Sequence, residues 1–396
     1  DIMSKKLNLT IDKLQKAKVA ISNVARVVTK KSALINLNIV TTNLCNQHCP
    51  MCNTTLMRDQ KNYFTLDVFK KYMQKLKSYH LASCTISGGE PTLAKELPEI
   101  IEEAVQYFPF GILLITNLYG NTKHIMRAME ASLRNNVNIS ISFDGFGEEA
   151  DILRGSKNVS VQTIKHIHRL HEMQKTINSK STITLHTVVS DLNVTQVPKI
   201  FDFSKELGWK QTIAPVNEFY YQDNSSVSGL THTQELVDVC ELALQEEHVD
   251  MIDAYLKGLA LYAGKKSPKL CPYTTNHLKT FKFFLEPNGD ISLCDRIAIG
   301  NINEQHIDEM IESIQYKNSL DDFKECEGCW LGCFVEPALR MQSSTRKKIN
   351  ILYEAEKVNA GTLSLPMISP KDDLLPVINL SENPPVEKTV VQASKK

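Results

Sequence analysis

The stretch ALINLNIVTTNLCNQHCPMCNTT, residues 33–55, joins an apolar, β-branched run directly to a loop with three cysteines. Residues 33–40 have the composition of a buried strand. Cys45, Cys49 and Cys52 follow with the spacing C-x3-C-x2-C, which indicates a metal site at the carboxyl end of that strand. A structural zinc site normally closes with four protein ligands. The loop therefore predicts a metal centre with one position left for another ligand.

Outward from this loop, short β-branched runs alternate with longer helical patterns. The six strand-like runs are ALINLNIV (33–40), SCTISG (83–88), GILLIT (111–116), VNISISF (137–143), TITLHTVVS (182–190) and KQTIAPV (210–216). Such alternation predicts a parallel sheet with helices outside it. Six units are too few for an eight-unit barrel, so we predict an α/β fold, a partial (β/α)6 TIM-like barrel with its chemistry at the carboxyl strand ends.

The second strand ends in Ser87-Gly88-Gly89-Glu90-Pro91, where glycines let the backbone approach a ligand closely. Together with the cysteine loop, this motif resembles the radical S-adenosylmethionine (radical SAM) superfamily. The resemblance implies that Cys45, Cys49 and Cys52 hold a [4Fe–4S] cluster whose open iron binds the methionine moiety of SAM. It also implies that Gly88, Gly89 and Glu90 contact the methionine ammonium group.

Three further positions match the family's SAM-binding residues more loosely. Asn117 follows the third strand in Thr-Asn, although Leu118 stands where the family often has glycine. Ser142 resembles the hydroxyl that contacts SAM's ribose or carboxylate. Arg154 resembles the arginine that clamps the carboxylate, a task that suits a guanidinium. The histidine that many relatives carry three or four residues before this arginine is missing here.

A second group of cysteines comes later in the chain: Cys271, Cys294, Cys326, Cys329 and Cys333. FKFFLEPNGDISLC (281–294) predicts a hairpin with an Asn-Gly turn. This region resembles the SPASM/twitch extension of many radical SAM enzymes, and five cysteines match the shorter twitch form with one auxiliary [4Fe–4S] cluster. We expect Cys271, Cys294, Cys326 and Cys329 to ligate it, with Cys333 competing for one place, while structural zinc would satisfy the same spacing.

The resemblance implies an enzyme that cleaves SAM reductively to a 5′-deoxyadenosyl radical and abstracts hydrogen from its substrate. A one-electron reductant such as flavodoxin or ferredoxin would be its partner. Candidate substrate-facing residues are Glu218, Tyr220, Tyr221, Asp295 and Arg296. We expect a modest-sized substrate: a sugar or aminocyclitol, an amino acid, a lipid headgroup or a peptide. The alternatives are a SPASM-type peptide maturase and, in another class, a non-enzymatic iron–sulfur electron carrier or scaffold.

Composition limits the other function classes. The chain has 396 residues, with 45 lysines and arginines balanced by 45 aspartates and glutamates, which argues against a nucleic-acid partner. Clustered cysteines favour a reducing compartment, and no apolar run is long enough for a membrane span, so we expect a cytoplasmic protein. The expected regions are an amphipathic helix (1–34), the radical SAM barrel (35–225), a helical linker (226–267), the auxiliary-cluster domain (268–340) and a C-terminal helix with a poorly ordered tail (341–396).

Overall fold

The structure is a computed structural model. It describes residues 13–23, 25, 36–52, 62–216, 229–230, 233–264, 270, 282–294, 297–325 and 329–359. The chain divides into a unit of residues 1–354, which contains the sheet and the sites below, and a unit of residues 355–396. Of the second unit, residues 355–359 are described, as the end of a helix.

The fold is built on a nine-stranded sheet in the order β6-β5-β4-β3-β2-β1-β7-β8-β9. The strands are β1 Asn36–Val40, β2 Ser83–Ser87, β3 Ile112–Thr116, β4 Asn138–Ser142, β5 Ile183–Val189, β6 Lys210–Pro215, β7 Lys282–Leu285, β8 Asp290–Ser292 and β9 Ala298–Asn301. Strands β1 to β6 are parallel neighbours, and β7 adds to β1 in parallel. Strands β8 and β9 then continue antiparallel. The sheet ends at β6 and β9 and does not close, which confirms the predicted partial barrel.

Among the described residues, one α-helix precedes β1, six lie between the parallel strands β1 to β6, and six follow β6. They are α1 (13–23), α2 Leu66–Leu76, α3 Leu97–Ala104, α4 Thr122–Arg134, α5 Gly147–Arg154, α6 Val159–Ile177, α7 Val197–Glu206, α8 Gln234–Gln245, α9 Asp253–Ala263, α10 Ile307–Glu312, α11 Ile314–Glu325, α12 Gly332–Met341 and α13 Ser343–Asn359. Local signals fix several of their starts. The side chain of Thr65 caps α2 and that of Asn121 caps α4, as expected for these residue types at N-caps.

The core lies between the sheet and the helices that cover its outer face. Along β5, burial alternates with the period of a strand: Ile183 and Leu185 are buried in this core, whereas Thr184 and His186 are half-buried on the other face. The inner face therefore carries polar groups below the carboxyl strand ends. Among the described helices, none is both long and apolar enough to cross a membrane.

Candidate functional site

The cysteine loop begins where β1 ends, at the carboxyl edge of the sheet. Cys49 is buried and Cys45 and Cys52 are half-buried. A turn closes the loop, since the Cys52 amide donates to the Cys49 carbonyl at 3.1 Å. The loop thus holds three thiols at the edge where the predicted partial barrel places its chemistry.

Gly88 and Gly89 form the support on which this loop rests. The Gly89 amide donates to the Thr42 carbonyl at 2.7 Å, and the Glu90 amide donates to the Leu44 carbonyl at 2.8 Å. A Cβ on Gly89 would lie 2.1 Å from the Leu44 carbonyl oxygen. Gly88 has φ +152°, and a Cβ added there would lie 2.5 Å from the Thr42 carbonyl oxygen. Side chains at these positions would therefore push the loop off the sheet.

The Glu90 side chain joins the ends of β2 and β3. Its Oε1 accepts hydrogen bonds from the Thr92 amide (3.1 Å) and from the hydroxyls of Thr92 and Thr116 (2.7 Å each), and its Oε2 accepts from the Asn117 amide (2.8 Å). The residue is 1% exposed. Burial raises the pKa of its carboxyl, while these hydrogen bonds oppose the shift. The observed contacts lie within the fold, and contact of this motif with the methionine ammonium stays a prediction.

Asn117 connects β3 to the cysteine loop. Its Nδ2 donates to the Asn46 side chain at 2.8 Å and to the Cys45 Sγ at 3.8 Å, while its Oδ1 accepts from the Tyr119 amide at 2.9 Å. Asn46 is a residue that sequence reasoning missed. Its only sequence signal is its place directly after Cys45.

Leu118 occupies the position where the family often has glycine, and it adopts the left-handed conformation that glycine would favour, at φ +51°. Its side chain is fully buried. Its carbonyl accepts from His166 Nδ1 at 2.9 Å, and His166 Nε2 pairs with the Thr122 hydroxyl at 2.9 Å. Burial lowers the pKa of His166, so this imidazole is a neutral structural group that holds the turn.

Arg154, at the end of α5, contacts the cysteine loop at His48 and Cys49. Its Nη2 pairs with Asp144 Oδ2 at 2.6 Å, with the two side chains 10% and 0% exposed. Its carbonyl accepts from the His48 amide (3.2 Å) and the Cys49 thiol (3.6 Å). Gly155 has φ +55°, and a Cβ there would lie 2.1 Å from the His48 carbonyl oxygen. The Arg-Gly pair therefore holds the loop at His48 and Cys49, whereas Gly89 holds it at Thr42 and Leu44.

The residues around the loop fit a cluster and an anionic group beside it. Burial raises the pKa of the Cys49 thiol to about 12, against the opposing charge of Arg154, and a bound metal would replace that proton. Arg154 Nε is buried without a hydrogen-bond partner among the described residues, so it is a donor suited to a carboxylate. No three Cys, His, Asp or Glu side chains in the described part of the chain already converge as a metal site.

Ser142 is the first member of a polar row on the inner face of the sheet. It lies opposite His186 in register, and His186 lies opposite Thr212. His186 Nδ1 hydrogen-bonds the Thr212 hydroxyl at 2.9 Å. Burial, and secondarily Arg154, lower the pKa of His186 to about 4. The row therefore offers neutral hydrogen-bonding groups on the inner face of the sheet.

The later cysteines are described only in part. Cys294 lies in the turn between β8 and β9, Cys329 in the segment before α12, and Cys333 in the first turn of α12. Cys271 and Cys326 lie outside the described residues, as do the candidate substrate residues Glu218, Tyr220, Tyr221, Asp295 and Arg296. The auxiliary ligand set and these substrate contacts stay predictions.

Comparison with known proteins agrees with the two motif regions. Residues 39–203 match the family model of the radical SAM superfamily, and residues 277–333 match that of SPASM, the iron–sulfur cluster-binding domain. A 7,8-dihydro-6-hydroxymethylpterin dimethyltransferase of Methanocaldococcus jannaschii is 29% identical over 181 residues, 44% of this chain and 34% of that protein. A PqqA peptide cyclase of Bradyrhizobium diazoefficiens is 24% identical over 207 residues, 52% of each chain. The match thus spans about half of these relatives' length or less.

Solved structures show the same fold. Streptococcus suis SuiB bound to precursor peptide SuiA superimposes with a TM-score of 0.58 at 16% identity, covering 78% of this chain and 73% of SuiB. The two domain matches imply SAM, a [4Fe–4S] cluster and auxiliary iron–sulfur binding as the cofactors, which confirms that prediction. The radical SAM relatives are enzymes. The open barrel, its cysteine loop and both domain matches together show that this chain contains a radical SAM domain and a C-terminal SPASM-type iron–sulfur domain.

Proposed function

We propose that this protein reductively cleaves SAM and uses the resulting 5′-deoxyadenosyl radical to remove hydrogen from a substrate. The observation that carries the proposal is the clamped cysteine loop. Gly89 lies against it at Leu44 and Gly155 lies against it at His48, and a Cβ at either position would be only 2.1 Å from a loop carbonyl oxygen. An electron carrier needs a cluster, but it does not need a partner for the fourth iron. Arg154, a buried guanidinium whose Nε has no hydrogen-bond partner in the described part of the chain, is such a partner's expected anchor.

The proposed roles follow from position. Cys45, Cys49 and Cys52 would hold the cluster, which would supply an electron to SAM. Arg154 would bind the SAM carboxylate through its guanidinium, which Asp144 holds in place through the 2.6 Å ion pair. Asn117, within 3.8 Å of the Cys45 sulfur, donates a hydrogen bond to that ligand and so tunes the cluster.

The auxiliary cluster is assigned to Cys271, Cys294, Cys326 and Cys329, with Cys333 the competitor for one place. Thiolate-bound clusters of this kind exchange single electrons. Since the SPASM strand β7 pairs directly with β1, the auxiliary region is joined to the strand that carries the first cysteine loop. A flavodoxin- or ferredoxin-type protein is the proposed reductant.

For the substrate we propose a peptide. The PqqA peptide cyclase matches over half of this chain, and the neutral polar row of Ser142, His186 and Thr212 suits amide and hydroxyl groups rather than a highly charged molecule. The second candidate is a small molecule, which the pterin dimethyltransferase relative favours. Incubation with deuterated candidate substrates separates them, since only the true substrate transfers deuterium into 5′-deoxyadenosine.

The enzyme class is tested by anaerobic reconstitution, reduction with dithionite in the presence of SAM, and measurement of 5′-deoxyadenosine. The wild-type protein should form it, and the Cys49→Ala variant should not. Cys84→Ala is the matched control, because Cys84 is a buried core thiol on β2, 2% exposed, and its loss should leave cleavage intact. An intact cluster without any SAM cleavage would support the electron-carrier alternative.

A further inference from the structure

Trp330 directly follows the proposed auxiliary ligand Cys329 and lies three residues before Cys333, the competitor for one ligand place. It is 1% exposed and is the largest of the fully buried side chains in the described part of the chain. Residues 329–331 have no regular secondary structure, so no backbone ladder of a helix or strand fixes the segment that carries Cys329. Its position must come from other contacts.

Contacts with α9 hold Trp330, the residue next to Cys329. The indole Nε1 of Trp330 donates to the Tyr255 carbonyl at 3.1 Å, and the Tyr255 hydroxyl donates to the Trp330 carbonyl at 2.7 Å. The Tyr255 ring packs against the indole with centroids 5.8 Å apart, and the Tyr262 ring stacks at 6.2 Å. Two reciprocal hydrogen bonds thus tie the same residue to α9 through both its side chain and its backbone.

Gly258 allows the Trp330 ring to lie close to α9. A Cβ on this helical glycine would lie 2.1 Å from Trp330 Cζ2, so the indole rests directly on the α9 backbone. Glycine in a helix interior destabilises the helix relative to alanine. That cost is offset here by the close approach of the indole.

We propose that Trp330, held on α9 by Tyr255 and Gly258, is the positioning residue for the thiols of Cys329 and Cys333. The inference rests on the proposed auxiliary cluster, and Trp330 itself is not a ligand. Metal ligands must be placed to within about 0.2 Å, and a large rigid side chain anchored at two points supplies that precision on an otherwise irregular segment. Partners outside the ligand shell typically contribute about 10–100-fold to metal affinity.

The chain offers a matched control in its other tryptophan. Trp209 is 4% exposed, and its Nε1 donates to Gln174 Oε1 at 2.9 Å. Trp330→Phe and Trp209→Phe therefore each remove one indole hydrogen bond and a similar side-chain volume. Only the first lies beside proposed ligands, so a loss of stability shared by both variants reports core packing alone.

The experiment uses the full chain with Cys45, Cys49 and Cys52 changed to alanine, so that only the auxiliary cluster can load. The reconstituted protein is then challenged with an iron chelator. Trp330→Phe should release iron at least about tenfold faster than its parent and alter the electron paramagnetic resonance spectrum of the reduced cluster. Trp209→Phe should do neither. Tyr255→Phe, which removes only the hydroxyl bond, should fall between them and decides the question if Trp330→Phe does not fold.

Equal iron release and unchanged spectra in both tryptophan variants would overturn the role of Trp330 while leaving the auxiliary cluster in place. A parent protein that loads no iron at all after reconstitution would overturn the auxiliary cluster itself, and the inference with it. The two failures are therefore distinguishable from the parent's iron content before any tryptophan variant is compared.

Discussion

Gly89→Ala is the sharpest test of how the cysteine loop is held. The added Cβ would lie 2.1 Å from the Leu44 carbonyl oxygen and 2.9 Å from the Cys45 nitrogen. Both atoms belong to backbone, so no side-chain rotation can relieve the contact. The loop that carries the first proposed cluster ligand has to move away from the end of β2.

The size of that movement follows from the contact distance. Since Cβ contacts under 3.0 Å are essentially never seen, the two backbones must separate by about 1 Å, several times the roughly 0.2 Å tolerance of a metal ligand. The separation also weakens two hydrogen bonds, Gly89 to Thr42 and Glu90 to Leu44, at about 0.5–1.5 kcal/mol each. We therefore expect a modest loss of stability and a severe loss of cluster loading.

The assay is iron content after anaerobic reconstitution, together with 5′-deoxyadenosine formation. Gly89→Ala should lose roughly four iron atoms per chain, one cubane's complement, and most of the SAM cleavage. Gly208→Ala is the control: Gly208 has φ +67°, and an added Cβ would meet nothing within 4 Å, so alanine there costs about 1–2 kcal/mol of backbone strain without touching the loop. Full iron loading and full cleavage by Gly89→Ala would refute the clamping argument.

Three further predictions concern the groups around the loop. In urea titrations, the unfolding free energy of Leu118→Gly should exceed that of Leu118→Ala by about 1 kcal/mol. Both variants lose the buried side chain, but only glycine relieves the left-handed backbone. The reverse order of stability would contradict the strain argument. Wild type should lose stability relative to His166→Gln as pH falls through 6.5. Burial lowers the pKa of His166 in the folded state, so the unfolded chain takes up the proton first. Urea titrations at about pH 7.5 and 5.5 test this, and parallel pH profiles of the two proteins would contradict it. Asp144→Asn should lower the unfolding free energy by about 3–5 kcal/mol, because it leaves the Arg154 charge buried and unpaired. The control Glu130→Gln removes an exposed ion pair and should lower it by less than about 1 kcal/mol. Equal unfolding free energies for the two variants would argue against a stabilising role of the buried pair.

The sequence predicted the parts of the fold that depend on local pattern. Alternating burial along β5 and the Asn-Gly turn between β7 and β8 both follow from periodicity and turn chemistry. The order of the six barrel strands follows from their short crossovers. The placement of β7 beside β1 does not, because a parallel pairing between residues 36–39 and 282–285 is fixed by long-range packing rather than by any local signal.

The site residues likewise divide into those that local sequence predicts and those that depend on contacts distant in sequence. Cys45, Cys49, Cys52 and the Gly-Gly pair are close in sequence to a strand end, so their position could be predicted. Gly155 could not, because its role depends on the backbone of His48 lying against it, more than a hundred residues earlier in the chain. The role of Trp330 is hidden from the sequence for a similar reason, since its partner Tyr255 is 75 residues away.

Leu118 shows why a departure from a family motif need not remove a site. Glycine at this position would supply a left-handed residue at no steric cost, and here leucine takes the same conformation at φ +51°. The cost, about 1–2 kcal/mol, is offset by full burial of the side chain and by the hydrogen bond from His166 to the Leu118 carbonyl. The turn therefore keeps its shape, and Asn117 reaches the cysteine loop as it would beside a glycine. The backbone conformation, rather than the residue that usually adopts it, is what the site requires.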